Sequence, residues 1–129
     1  MLNVLLAISI ILILLDAVWI SFVSGPLFNT MIKNIQGHDI NINIVGAALS
    51  YFCLVIGVYW FGYRNIDPDN VWQSALGAGL FGFVGYGLFD FTNMAIMDKW
   101  VLGPALIDVA WGGILCYTTV VGTHFVVSK

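Results

Sequence analysis

Two short stretches place an aspartate and a tryptophan one helical turn apart inside otherwise apolar sequence. They are LLDAVW, with Asp16 and Trp19, and LIDVAW, with Asp108 and Trp111. A third stretch, GLFDFTN, adds Asp90 and, one turn on, Asn93. A carboxyl can accept hydrogen bonds, hold a cation or exchange a proton, whereas an indole N–H only donates. On a helix, residues three apart share a face, so each Asp-x-x-Trp presents its acid and its donor together. The face around Asp90 also carries Phe83, Tyr86, Gly87 and Met94, while Thr92 points elsewhere.

The surroundings of these acids decide what they imply. The chain has 129 residues, 60% of them hydrophobic and 9% charged, far from the composition of soluble domains. A chain this short cannot hide that much apolar surface in one aqueous core, so it reads as an integral membrane protein spanning residues 1–129 as one domain. At roughly 20 residues per crossing, four spans emerge, at about 2–23, 42–63, 71–97 and 100–127. Backbone groups in lipid must bond within their own segment, so the fold is all-α, a membrane four-helix bundle. The opening run MLNVLLAISIILILL has no basic residues before it and is interrupted by Asp16. It is expected to stay as a membrane helix rather than to be a cleaved leader.

Between spans one and two, Leu27, Phe28, Met31, Ile32 and Ile35 recur at helical spacing, with Asn29, Thr30, Lys33 and Asn34 opposite. Pro26 suits a first helical position and Gly37 a stop. Two readings stay open for residues 26–36: a short amphipathic helix lying in the interface, or a continuation of helix one kinked at Pro26. Let side A be the face at which the chain begins, and side B the other. Tyr59, Trp60, Tyr63 and Trp72 are expected to mark the boundary at side A, and Trp100 that at side B. Arg64 and Lys129 fall on side A and Lys33 and Lys99 on side B, so the positive-inside rule does not orient the chain.

With those spans, Asp16, Asp90 and Asp108 all fall roughly 10–12 Å below side B, at 1.5 Å of rise per residue. Ser50 and Tyr51 of the second span arrive at the same level. The candidate polar layer is therefore Asp16, Trp19, Tyr51, Tyr86, Asp90, Asn93, Asp108 and Trp111. An ionised carboxylate near a bilayer centre costs about 2.5–3.5 kcal/mol on insertion scales. Loss of water and like-charged neighbours both favour the neutral form, so the layer is expected to keep a proton near neutrality. Lys33 and Lys99 are the only cations on that side, and each would have to reach downward.

Other chemistry has little support. All seven acids are Asp, without a basic patch, so nucleic-acid binding is not expected. No metal site is assigned, because the acids have no His or Cys company, and no cofactor motif is present; GAGLFGFVGYG follows no strand. Cys53 and Cys116 read as small buried hydrophobes at different depths. Ser74, Ala78 and Gly82, with Ala75 and Gly79, form stripes of small residues suited to close helix packing, within the bundle or between copies in a homo-oligomer.

LDAVW, FDFTNMA and IDVAWG, in that order, resemble the small predicted four-helix membrane proteins of domain-of-unknown-function family 2177, over nearly the whole chain. The resemblance implies the four-helix layout. It also implies Asp16, Trp19, Asp90, Thr92, Asn93, Asp108 and Trp111 as a shared polar signature, with Phe91 a departure from a Leu at that place. It brings no activity. Three functions therefore stay in play: binding or transport of a small ligand, proton or cation at the polar layer; a structural role in which the acids bond the bundle together; and a membrane enzyme using Asp acid/base chemistry on a lipid-like substrate.

Overall fold

The computed structural model describes all 129 residues, Met1–Lys129, and every regular element is helical. Helix α1, Leu2–Trp19, runs through a π-helical turn, Ile20–Ser24, into α2, Gly25–Gln36. Of the two readings for residues 26–36, the chain adopts the continuous one, a helical run of 35 residues from Leu2 to Gln36. Pro26 explains the wide turn. A proline ring clashes with the carbonyl four residues back in a regular helix, and a π-turn relieves such a clash by lengthening the repeat. Gly25 donates its N–H to the Ile20 carbonyl; a Cβ there would lie 2.5 Å from that oxygen, which is why the position is glycine. At the far end Gly37 takes a left-handed φ of 85° and bonds back to the Lys33 carbonyl.

The loop after Gly37 is fastened onto α2. Asn29 bonds Asp39 and the Ile40 N–H, Gln36 bonds the carbonyls of His38 and Asp39, and Lys33 pairs with Asp39 at 3.6 Å. Asn43 then caps α3, Ile44–Gly57, by accepting from the Gly46 N–H at 3.0 Å. A second π-turn, Val58–Gly62, and a 3₁₀ turn, Tyr63–Asn65, carry this span to its end. The third span is α4, Val71–Ser74, followed by α5, Leu76–Ile96. The fourth is α6, Leu102–Val127, with Pro104 in its first turn, where a missing N–H costs nothing. Each of the four runs is long and apolar enough to cross a membrane, and the protein is an integral membrane four-helix bundle.

Helix α6 is the centre of the bundle, packing along α5 on one side and α1 on the other. Helix α3 leans on α1, and its π-turn extension reaches α5 at side A. Small residues set the α5–α6 distance. A Cβ on Gly82 would strike the Gly112 carbonyl and the Cys116 sulfur, and one on Gly112 would strike the Tyr86 ring. Ala75 and Ala78 are fully buried. The stripes of the third span are thus occupied by this chain's own helices, and their expected use between copies gains no support.

Two apolar clusters stand at different heights. The larger includes Ile8, Leu12, Val58, Ala78, Leu115 and Val120, towards side A. The smaller joins Phe28 and Met31 of α2 to Trp100 and Ala105 at side B. Trp100, expected to mark the boundary at side B, stands at that end of the bundle but is turned inward and only 9% exposed. Its ring meets Phe28 at 5.7 Å and Phe89 edge-on at 5.9 Å, because the amphipathic α2 needs an apolar surface to cover and the α5–α6 turn supplies one. Lys99 Nζ donates to the Asn34 carbonyl at 2.9 Å, and the Val101 N–H to the Met31 sulfur. Helix α2 is a cap on the side-B end.

Candidate functional site

Between the two apolar clusters lie the acids. On α1, Leu12 belongs to the lower cluster and Phe28, past the π-turn, to the upper one; Asp16 falls between them. On α6 the order is Ala105, Asp108, Trp111, Leu115, and on α5 it is Ala78, Tyr86, Asp90. The register of three helices therefore brings the carboxyls to one layer.

Asp16 is buried and well bonded. The Tyr51 hydroxyl donates to its Oδ2 at 2.6 Å and the Trp111 indole N–H to its Oδ1 at 3.0 Å. Trp111 also stacks on Trp19, with ring centroids 4.5 Å apart and planes within 3° of parallel. The two Asp-x-x-Trp motifs thus meet across the α1–α6 contact, and the tryptophan of one bonds the aspartate of the other. The exchange is one-sided. The Trp19 N–H is buried without a protein partner, and Asp108 turns instead toward α5.

There it meets Asp90, which is completely buried and whose two oxygens receive no N–H or hydroxyl from the protein. The neighbours of the Asp90 carboxyl are the carboxyl of Asp108 and the indole of Trp100. The two carboxyls lie close together without a hydrogen bond between them, and no basic side chain stands beside them. Neither lysine of side B comes down to this pair: Lys33 is tied to Asp39 and Lys99 to the Asn34 carbonyl. Tyr86 lies near both Asp16 and Asp108. Asn93 is half-buried one turn from Asp90 and joins none of these bonds, and Thr92 faces outward.

Asp108 differs from the other two acids in being only partly covered. It lines a groove of about 450 Å³ between α3 and α5, walled by Ser50, Cys53 and Leu54 on one side and by Phe81, Gly82, Gly85, Tyr86 and Phe89 on the other. The groove exists because α5 closes on the Val58–Gly62 turn at side A while α3 stays with α1. Gly57 completes the closure: its hydrogen leaves room for the Phe81 ring, which a Cβ would strike. Ser50, Cys53, Gly85 and Phe89 are exposed on the bundle surface, so the groove opens sideways, toward lipid.

Cys53, Leu54, Phe81, Gly85 and Phe89 were not candidates from sequence, nor was Trp100. Ser50, Cys53 and Leu54 do share one helical face, as do Phe81, Gly85 and Phe89, but apolar faces at helical spacing are common to every span here. Only the splay of α3 from α5 makes these two into walls.

No curated protein and no solved structure matches this chain. The family model for DUF2177, described as a predicted membrane protein, matches residues 1–125, and with nearly the whole length and all three aspartate motifs inside that match, the chain belongs to this family.

Proposed function

We propose that this membrane protein binds a small amphiphile drawn laterally from the bilayer into the α3–α5 groove. The ligand's polar head, a hydroxyl or amine that donates hydrogen bonds, meets Asp108, and its apolar part lies along Phe81 and Phe89. One observation carries the reading: a partly exposed carboxyl stands at the floor of a lipid-open groove, and no lysine, arginine or histidine of the protein reaches it. Intramembrane acids mark ligand or ion pathways by default, and pockets that are mostly apolar with a few polar groups are the usual form of small-molecule sites.

Asp16 supports the structural reading for itself alone. It holds α3 and α6 to α1 through two hydrogen bonds. The layer in this view has two parts, a bonded half that fixes the bundle and an open half that receives a ligand.

The test is photocrosslinking of diazirine-bearing long-chain alcohols and amines to the protein in lipid nanodiscs, with the adducts mapped by mass spectrometry. Adducts should concentrate on the peptides containing Cys53 and Phe81–Phe89, and Asp108→Asn should reduce them several-fold. Labelling spread evenly over all lipid-facing helices, or unchanged in Asp108→Asn, refutes the site.

A further inference from the structure

A second cavity, of about 460 Å³, lies at the opposite end of the bundle, where the second span runs out and α6 ends. Its polar lining is Tyr59, Tyr63, Arg64, His124 and Ser128, with Ile66 among the apolar residues. The composition of this lining is one-sided. Arginine donates five N–H groups and accepts nothing. The tyrosine hydroxyls that bond within the protein are those of Tyr51 and Tyr117, so those of Tyr59 and Tyr63 are free to donate. Arg64 has no carboxylate partner, since the one ion pair of the chain is Lys33 with Asp39. No carboxylate side chain lines the cavity. The nearest acids in sequence, Asp67 and Asp69, belong to the adjoining loop, where the Asp67 carboxylate accepts the Asp69 N–H.

Arg64 is also held in position. Its guanidinium lies 4.0 Å from the centre of the Trp60 ring, a cation–π contact that orients the planar group without using its hydrogen-bond donors. Tyr59 and Tyr63 stack at 6.5 Å beside it, and His124 Nδ1 is 3.5 Å from the Ser128 hydroxyl. Trp60 and Trp72, exposed by 56% and 62%, place this level at the membrane–water boundary, where amphipathic rings collect. A cavity at headgroup height that offers donors and no acid suits an anion with several acceptor oxygens.

From this we infer that the cavity is a binding site for the phosphate headgroup of a membrane lipid in the side-A leaflet, with Arg64 engaging two phosphate oxygens and Tyr63 a third. The site is separate from the Asp108 groove and does not depend on that reading. A bidentate arginine–phosphate contact is the strongest interaction such a lining can make, and Ile66 gives the first carbons of the glycerol backbone an apolar wall.

The test uses the full chain in nanodiscs of equal phosphatidylglycerol and diacylglycerol with matched acyl chains, read by native mass spectrometry of the lipid retained. Phosphatidylglycerol should be enriched at least about tenfold over diacylglycerol, and Arg64→Gln should remove that enrichment while Arg64→Lys keeps part of it, as expected for loss of a charged hydrogen-bond donor. Tyr63→Phe should lower the enrichment by a smaller factor and gives a second reading if Arg64→Gln does not fold. No enrichment, or an enrichment that survives both Arg64→Gln and Tyr63→Phe, overturns the site. A parallel arm adds millimolar inorganic phosphate to the protein in lipid-free detergent. Saturation there, without selection among lipids, would show the anion itself to be the ligand and overturn the lipid assignment.

Discussion

At the scale of single residues, the three aspartates are chemically alike and structurally unlike. Asp16 receives two hydrogen bonds, Asp90 receives none from an N–H or hydroxyl, and Asp108 is partly open. Side-chain hydrogen bonds in membrane proteins average about 0.6 kcal/mol and reach about 1.7, whereas bonds to charged groups in soluble proteins are worth about 1.5–3. The short Tyr51–Asp16 bond belongs in the upper part of the first range. Tyr51→Phe and Trp111→Phe should each destabilise the protein by about 1–2 kcal/mol in reversible detergent unfolding, and Trp111→Phe more than Trp19→Phe, whose N–H has no protein partner. Asp90→Asn should do the opposite. Relieving a buried carboxyl that lacks a donor is neutral or stabilising when shape is kept, so Asp90→Asn should unfold within about 0.5 kcal/mol of wild type or above it. A loss of about 2 kcal/mol there would mean that Asp90 bonds the helices together as Asp16 does.

Helices behave as units through their contact lines. The α5–α6 pair depends on Gly82, which faces the Gly112 carbonyl, and a backbone cannot move aside. Gly82→Val should therefore cost about 3 kcal/mol or more, by overpacking against Gly112 and Cys116. Gly77→Ala is the control: a Cβ there meets nothing within 4 Å, so it should be neutral or gain up to about 1 kcal/mol of helix propensity. Unfolding midpoints of the two variants check both statements. The α2 cap is held by a small cluster and a few surface bonds, so it should open independently of the bundle. Met31→Ala removes a buried contact worth at least about 2 kcal/mol. Hydrogen exchange should then quicken across Gly25–Gln36 and Lys99–Val101 while α6 below Trp111 stays protected.

For the molecule as a whole, the question is what can reach the polar layer, and from where. Helix α2 with Trp100 covers it from side B, the larger apolar cluster closes it from side A, and the α3–α5 groove leaves it open to lipid. Two cysteines report on this directly. Cys53 is exposed on the groove wall and Cys116 is completely buried. A membrane-permeant alkylating reagent should modify Cys53 and spare Cys116 in the folded protein, because reaction requires access. A groove-binding amphiphile should slow Cys53 labelling in wild type and fail to do so in Asp108→Asn. Equal labelling of both thiols would mean that the bundle is looser than the α5–α6 packing around Cys116 describes.

Sequence alone determined the class and the layer. Sixty per cent apolar residues and nine per cent charge leave a short chain no option but lipid, and lipid allows helices because it offers the backbone no other partner. Once the spans are drawn, a fixed rise per residue puts Asp16, Asp90 and Asp108 at one depth. Depth along an axis is a one-dimensional property, and so it is legible in a string. Rotation and splay are not. That Trp111 bonds Asp16 while Asp108 turns to Asp90, that Trp100 folds under α2 instead of facing lipid, and that α3 parts from α5 to open a groove all depend on how far each helix turns about its own axis. In a chain where nearly every face is apolar, periodicity does not say which face goes inward. Contacts such as Gly82 on Gly112 and Phe81 over Gly57 make that choice, and they exist only once the helices have packed.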